Sequence, residues 1–136
     1  MKKALFTLLI VSLMVIGLSA CQSVPEGPNI EISGVWGRPS PMAAGNGATY
    51  MLIKNTGSEA DRLINATSNV SDAVELHDMT MEGGVMKMFH VEEGYEIPAG
   101  GEVELKPGGK HVMFIGLHDQ LKEGQVVTIE LEFEKS

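Results

Sequence analysis

Gln125-Val126-Val127-Thr128-Ile129-Glu130-Leu131-Glu132-Phe133 is the stretch that decides the fold class. Val127, Ile129, Leu131 and Phe133 share one parity, while Thr128, Glu130, Glu132 and Glu134 take the other, which is the two-residue period of a half-buried strand. Reading outward, the same kind of short segment recurs. Strands are predicted over His111 to Leu117, around Val103 and Leu105, over Val85 to Val91, Ala73 to Met79, Arg62 to Ala66 and Ala48 to Lys54, and through Ile30, Ile32, Val35 and Trp36. Between them lie turn signals such as Asn46-Gly47, Gly83-Gly84, Ile97-Pro98-Ala99-Gly100-Gly101 and Pro107-Gly108-Gly109. Helical periodicity is absent, apart from room for one short turn over Asp119 to Glu123. Seven or eight short strands with such punctuation predict an all-β domain, a two-sheet antiparallel sandwich.

The chain has 136 residues and one cysteine, Cys21. Met1-Lys2-Lys3 is basic, Ala4 to Ile16 is nearly all apolar, and Leu18-Ser19-Ala20-Cys21 places small residues before the thiol. This predicts an export signal over residues 1–21, too short to span a bilayer comfortably, since a spanning helix needs about 20 apolar residues. The four-residue end resembles a bacterial lipobox, in which the signal is cut before the cysteine and the thiol carries lipid. Residues 22–28, with Pro25, Gly27 and Pro28, then form a linker, and 29–136 form the domain. The expected location is extracytoplasmic, on a membrane held through the lipid, with no disulfide available. Loss of Lys2 and Lys3 takes Lys plus Arg from 10 to 8 against 18 acidic residues, a net charge near −10. Such a surface argues against nucleic acid as a partner, because phosphate binding needs basic groups.

All four histidines lie between positions 77 and 118, and five of nine methionines lie between 79 and 113. Strand residues two apart share a face, so His77, Met79 and Met81 align, as do Met86, Met88 and His90, and as do His111 and Met113. A hairpin centred between Glu82 and Gly83 sets His77 opposite Met88 and Met79 opposite Met86. A two-residue Gly83-Gly84 turn instead sets His77 opposite His90 and Met79 opposite Met88. Either register gathers imidazoles and thioethers on one face. Neutral thioethers select Cu(I), whereas zinc favours cysteine or carboxylate and calcium needs several oxygens. Nor would thioethers oxidise to disulfides in an exported protein. His118 reads as a surface residue.

These residues and several others resemble the periplasmic copper chaperones of the PCu(A)C type. His77 and Met88 are separated by ten residues, and Met88 and the His111-x-Met113 pair by twenty-two, one more than the family pattern, placed in the Val91 to Tyr95 loop. Trp36-Gly37-Arg38-Pro39, Asn55-Thr56-Gly57, Glu75-Leu76-His77, Ile97-Pro98-Ala99-Gly100-Gly101, Leu105-Lys106-Pro107-Gly108-Gly109 and Gly116-Leu117 look like further family landmarks. The resemblance implies a cupredoxin-like Greek-key β-sandwich that binds one Cu(I) through His77, Met88, His111 and Met113. Met86 shares the face of Met88 and remains its rival, and Met79, Met81, Met86 and His90 stand as auxiliary ligands. The resemblance also implies delivery of copper to the binuclear centre of cytochrome oxidase subunit II, or to another copper chaperone.

Two other readings fit the same residues: a lipoprotein that sequesters copper, and a structural sandwich with no metal. An enzyme is not expected, since no G-x-S-x-G elbow, no catalytic thiol and no carboxylate pair that sequence can place together is present.

Overall fold

The computed structural model describes residues 23–40 and 45–136. The expected signal segment and its lipid-bearing Cys21 lie outside these residues. Nine strands follow in order: β1 (Ile30–Gly37), β2 (Asn46–Asn55), β3 (Asp61–Thr67), β4 (Ser71–Glu82), β5 (Val85–His90), β6 (Tyr95–Ile97), β7 (Glu102–Leu105), β8 (His111–Leu117) and β9 (Glu130–Phe133). Among the described residues there is no helix. The larger sheet runs β1-β2-β8-β4-β5, with β7 also paired to β2, and the smaller runs β6-β3-β9. Every pairing is antiparallel. Neighbours distant in sequence, β2 beside β8 and β8 beside β4, make this an interleaved sandwich rather than a meander.

Parity explains the core. On β4 and β8, Leu76, Val112 and Phe114 turn inward, while the residues between them turn to the outer face. Met51 and Ile53 of β2, Leu63 and Ala66 of β3, Tyr95 and Ile97 of β6, and Leu105 of β7 meet them there. Full burial of an aliphatic side chain stabilises by about 1.5–3 kcal/mol. Ile53, Leu63, Ile97 and Val112 are each wholly inaccessible. This core is supplied without the outer-face histidines and methionines of β4 and β8, which are therefore free for another use.

Four expectations need correction. There are nine strands, because Tyr95–Ile97, read as part of a loop and turn, forms β6 against Asp61 to Leu63. The last strand is shorter than the alternation suggested: it pairs with β3 only from Glu130, opposite Thr67. Thr67 ends β3, so residues before Glu130 have no ladder to join, and Thr128 instead accepts a hydrogen bond from Ser68. The burial alternation nevertheless extends back to Val127. Asn46-Gly47 is not a turn but the start of β2, paired with Ile115 and Phe114. A Cβ on Gly47 would meet Leu121 at 3.0 Å and Phe114 at 3.3 Å, so packing rather than turning requires this glycine. Of the two hairpin registers, the one centred between Glu82 and Gly83 does not occur.

The expected linker is held against the domain from Pro25 onward. Ser58 N–H reaches the carbonyls of Pro25 (3.1 Å) and Gly27 (2.9 Å), and Gly57 packs so closely on Gly27 that no side chain would fit.

Candidate metal centre

Glu82 pairs with Val85 across Gly83 and Gly84, whose φ values of 58° and 81° give the turn that only glycine adopts freely. This turn sets His77 opposite His90, Met79 opposite Met88 and Met81 opposite Met86. On the other side of β4, His77 stands opposite His111 and Glu75 opposite Met113. Directly opposed residues share a face. The two histidines and two methionines expected as ligands thus lie on one outer face, spread over three adjacent strands.

His111 is 6% exposed and His77 9%, and their ring centroids are 5.7 Å apart. With imidazole–metal bonds of about 2 Å, rings at this spacing can share one ion. Hydrogen bonds define each ring's lone pair. His111 Nδ1 lies 2.9 Å from the carbonyl of Gly109, which can only accept, so this nitrogen carries the proton and Nε2 keeps its lone pair. Gly109 is presented by the turn Lys106-Pro107-Gly108-Gly109, closed by a bond from Gly109 N–H to Lys106 and by φ of 82° at Gly108. His77 Nε2 lies 2.7 Å from Glu75 Oε2, so it donates to that carboxylate. Its Nδ1 is buried with no hydrogen-bond partner among the described residues. A buried polar atom without a partner is costly, and a metal ion would satisfy it. A carboxylate that takes one ring nitrogen and leaves the lone pair on the other is the arrangement that orients metal-bound imidazole.

Beneath the face, Tyr95 supports both histidines. Its hydroxyl is 2.5 Å from the carbonyl of His77 and 3.0 Å from that of His111, sharing its proton between the two strands. Burial pushes the phenol far above its ordinary value, so it stays a donor. Alongside, burial would raise the Asp78 carboxyl, but hydrogen bonds from Lys110 (2.7 Å) and Met79 N–H, with the Lys110 charge, outweigh it and hold the group ionised below the usual range.

The thioethers occupy a different setting. Met88 and Met113 line one shallow depression with His111, Tyr50 and Arg38. Trp36 packs on Tyr50 at 4.6 Å between centroids and Tyr50 lies 6.4 Å from His111, forming an aromatic wall along the site. Met88 is 46% exposed. Met86 sits across from Met81 nearer the turn and does not line the depression. His90 stacks on His77 at 5.6 Å with Nδ1 4.0 Å from Glu75. His118 lies apart, paired with Asp72 at 3.1 Å on the surface. Among the described residues no group of three or more His, Cys, Asp or Glu is placed to hold a metal.

Sequence reading gave Arg38 and Glu75 only as members of the landmarks Trp36-Gly37-Arg38-Pro39 and Glu75-Leu76-His77, with no role at the site, and left Tyr95 in a loop. Glu75 carried a further signal, being two residues before His77 and so of the same parity.

The profile of the family described as "Putative lipoprotein LpqE-like" matches residues 30–136. A lipoprotein-named relative from Leifsonia xyli subsp. xyli is 34% identical over 110 residues, 79% of this chain and 64% of its own length. An uncharacterised protein of Rickettsia prowazekii is 29% identical over 102 residues, 73% of this chain and 56% of its own. The chain thus spans less than two thirds of either relative. Among solved structures, the copper-bound PCuAC domain from PmoF2 superposes with a TM-score of 0.64 at 25% identity, covering 77% of this chain and 81% of that one. The Cu(I) form of DR1885 from Deinococcus radiodurans gives 0.60 at 29% identity, covering 85% and 74%. The chain belongs to the LpqE-like family, and its β-sandwich is of the PCuAC type.

Proposed function

We propose that this chain is an extracytoplasmic carrier of Cu(I), held at a membrane through lipid on Cys21, that binds the ion with His77, Met88, His111 and Met113 and passes it on to the binuclear copper centre of cytochrome oxidase or to another copper chaperone. The observation that carries this reading is the unpartnered, buried Nδ1 of His77 beside His111, on the sheet face where Met88 and Met113 line a depression. Copper in the matched PCuAC domain of PmoF2 and in DR1885 supports it. The lipoprotein name of the family supports the anchor.

As cargo, Cu(I) suits this donor set, since four neutral ligands leave its single charge unbalanced by any thiolate and two of them are soft sulfurs. His77 and His111 are buried, Met113 is half-buried beside them in the sheet, and Met88 is exposed. An acceptor approaching the exposed side can replace Met88 first, then Met113, while the imidazoles still hold the ion. Release then needs no thiolate to be broken. The chain's formal charge of −8 keeps the surroundings favourable to a cation.

The test is anaerobic Cu(I) competition against a chromophoric chelator, followed by incubation with an apo oxidase copper domain. One tight equivalent, weakened in each of His77→Ala, Met88→Ala, His111→Ala and Met113→Ala, is expected, with copper appearing in the oxidase domain. Tight binding without transfer would leave sequestration as the function, and absence of Cu(I) binding would leave a structural sandwich.

A further inference from the structure

We infer that the outer part of the β4–β5 hairpin is a second Cu(I) site, formed by Met79, Met81 and Met86 and adjoining the first. The inference rests on the copper reading above and adds a station to it.

The backbone pattern brings these sulfurs together. Val91 N–H donates to the carbonyl of Leu76 at 2.8 Å, so Leu76 and Val91 form a hydrogen-bonded rung. In an antiparallel ladder such rungs alternate with non-bonded ones, where side chains stand closest. Counting toward the turn, the three non-bonded rungs are His77 with His90, Met79 with Met88, and Met81 with Met86. Every His and Met of the hairpin thus falls on a close rung and on one face. The intervening rungs carry Asp78, Thr80, Glu82, Val85, Lys87 and Phe89, with Lys87 bound to Glu82 at 2.5 Å.

Nothing among the described residues covers the outer end of this face. Met81 is 62% exposed and Met86 41%, although each would be stabilised by burial. Neither belongs to the hydrophobic core or packs against it. Three neutral thioethers on flexible stems do make a complete trigonal set for Cu(I), and they would leave Zn(II), Ca(II) and Mg(II) unbound for want of nitrogen or oxygen donors. The Met79–Met88 and Met81–Met86 rungs are two residues apart, about 6.6 Å along the strand. Met79 faces Met88, a proposed ligand of the inner site, so an ion held at the tip lies one ligand exchange away from it. The tip then serves as the point of entry or exit, and the oxidation state does not change.

A competing account of exposed methionines is an apolar docking surface. The substitutions Met81→Leu and Met86→Leu separate the two, because they keep size and hydrophobicity but remove sulfur. The full chain, carrying 13C-labelled methionine methyls, is titrated anaerobically with Cu(I). Two equivalents are expected: the first shifts the Met88 and Met113 methyls and disappears in His111→Ala, and the second shifts Met79, Met81 and Met86 and disappears in the double leucine variant. Saturation at one equivalent that His111→Ala abolishes overturns this inference alone. A second equivalent that persists in the double leucine variant also overturns it, placing that ion elsewhere, for example on His90 or His118. Failure to bind any Cu(I) overturns the first site together with the second.

Discussion

The two halves of the proposed site are built differently. The β4–β8 half is a floor: His77 and His111 are nearly buried, each ring has its second nitrogen committed or enclosed, and Tyr95 ties the two backbones together from below. The β4–β5 half is a flap. All residues from Met81 to His90 are exposed, and no second layer among the described residues supports them. The floor supplies preorganised nitrogen, with the Met113 sulfur beside it on β8, which sets where the ion sits. The flap supplies sulfur that can swing away, which a carrier needs and a permanent metal site does not.

If that division is right, removing a buried floor side chain should disturb both folding and binding, and replacing a flap thioether binding alone. The largest contrast is between His111→Ala and Met88→Leu. His111→Ala removes a buried ligand, so affinity for Cu(I) should fall by at least about 100-fold, beyond the 10–100-fold typical of losing a mere outer partner. It should also destabilise the domain by about 0.5–3 kcal/mol. Met88→Leu should weaken Cu(I) by about 10–100-fold, yet leave stability within about 0.5 kcal/mol, as for other surface changes. Denaturant unfolding of the copper-free forms beside chelator competition reads both. Equal destabilisation by the two would erase the distinction between floor and flap.

Tyr95→Phe probes the floor without touching a ligand. Two carbonyls lose a shared donor inside the sandwich, a cost of about 1–3 kcal/mol. Because those carbonyls belong to His77 and His111, Cu(I) affinity should fall with stability. Unchanged affinity would mean that the rings are held by Glu75 and Gly109 alone.

How much of this was legible in the chain follows the same division. Parity placed His77, Met79 and Met81 on one face, and His111 with Met113, because a two-residue period needs no knowledge of partners. Register did need it. Two hairpins were open until the positive φ of Gly83 and Gly84 fixed the turn, and with it Met88, rather than Met86, beside His111. Tyr95 left no sequence signal, since it reaches the ligand strands from the opposite sheet, in a strand of only three residues that ends at a proline-containing turn. The Val127 to Ile129 alternation was real in burial but not in pairing, because β3 runs out at Thr67.

A smaller effect is expected from Glu75→Gln. The amide can still meet His77 Nε2, but the carboxylate charge that favours a donating imidazole is gone, so Cu(I) affinity should drop by about tenfold, the low end for such outer partners. Glu75 is half-buried and its bond is local, so the unfolding midpoint should hardly move. A loss of stability without loss of affinity would make the Glu75–His77 pair a packing feature of the floor and not part of the metal centre.

The smallest effect should come from Gly84→Ala, which strains the flap while removing none of its sulfurs. At φ of 81° an alanine costs about 1–2 kcal/mol, yet a Cβ there meets no atom within 4 Å, so the penalty is torsional only. That energy is enough to open the turn about 5–30 times more often. Amide exchange over Met81 to Met88 should quicken by that factor, since local opening draws only on local stability. Exchange at Val112 and Phe114 should remain far slower than in the hairpin, because these core residues are reached only by global unfolding, which feels the same strain but starts from a much larger free energy. Cu(I) affinity should fall by less than about tenfold, since Met88 is held less often in place but is still present. Should β8 come to exchange as fast as the hairpin, the flap would be coupled to the floor, and release of the ion would involve the whole sheet rather than its edge.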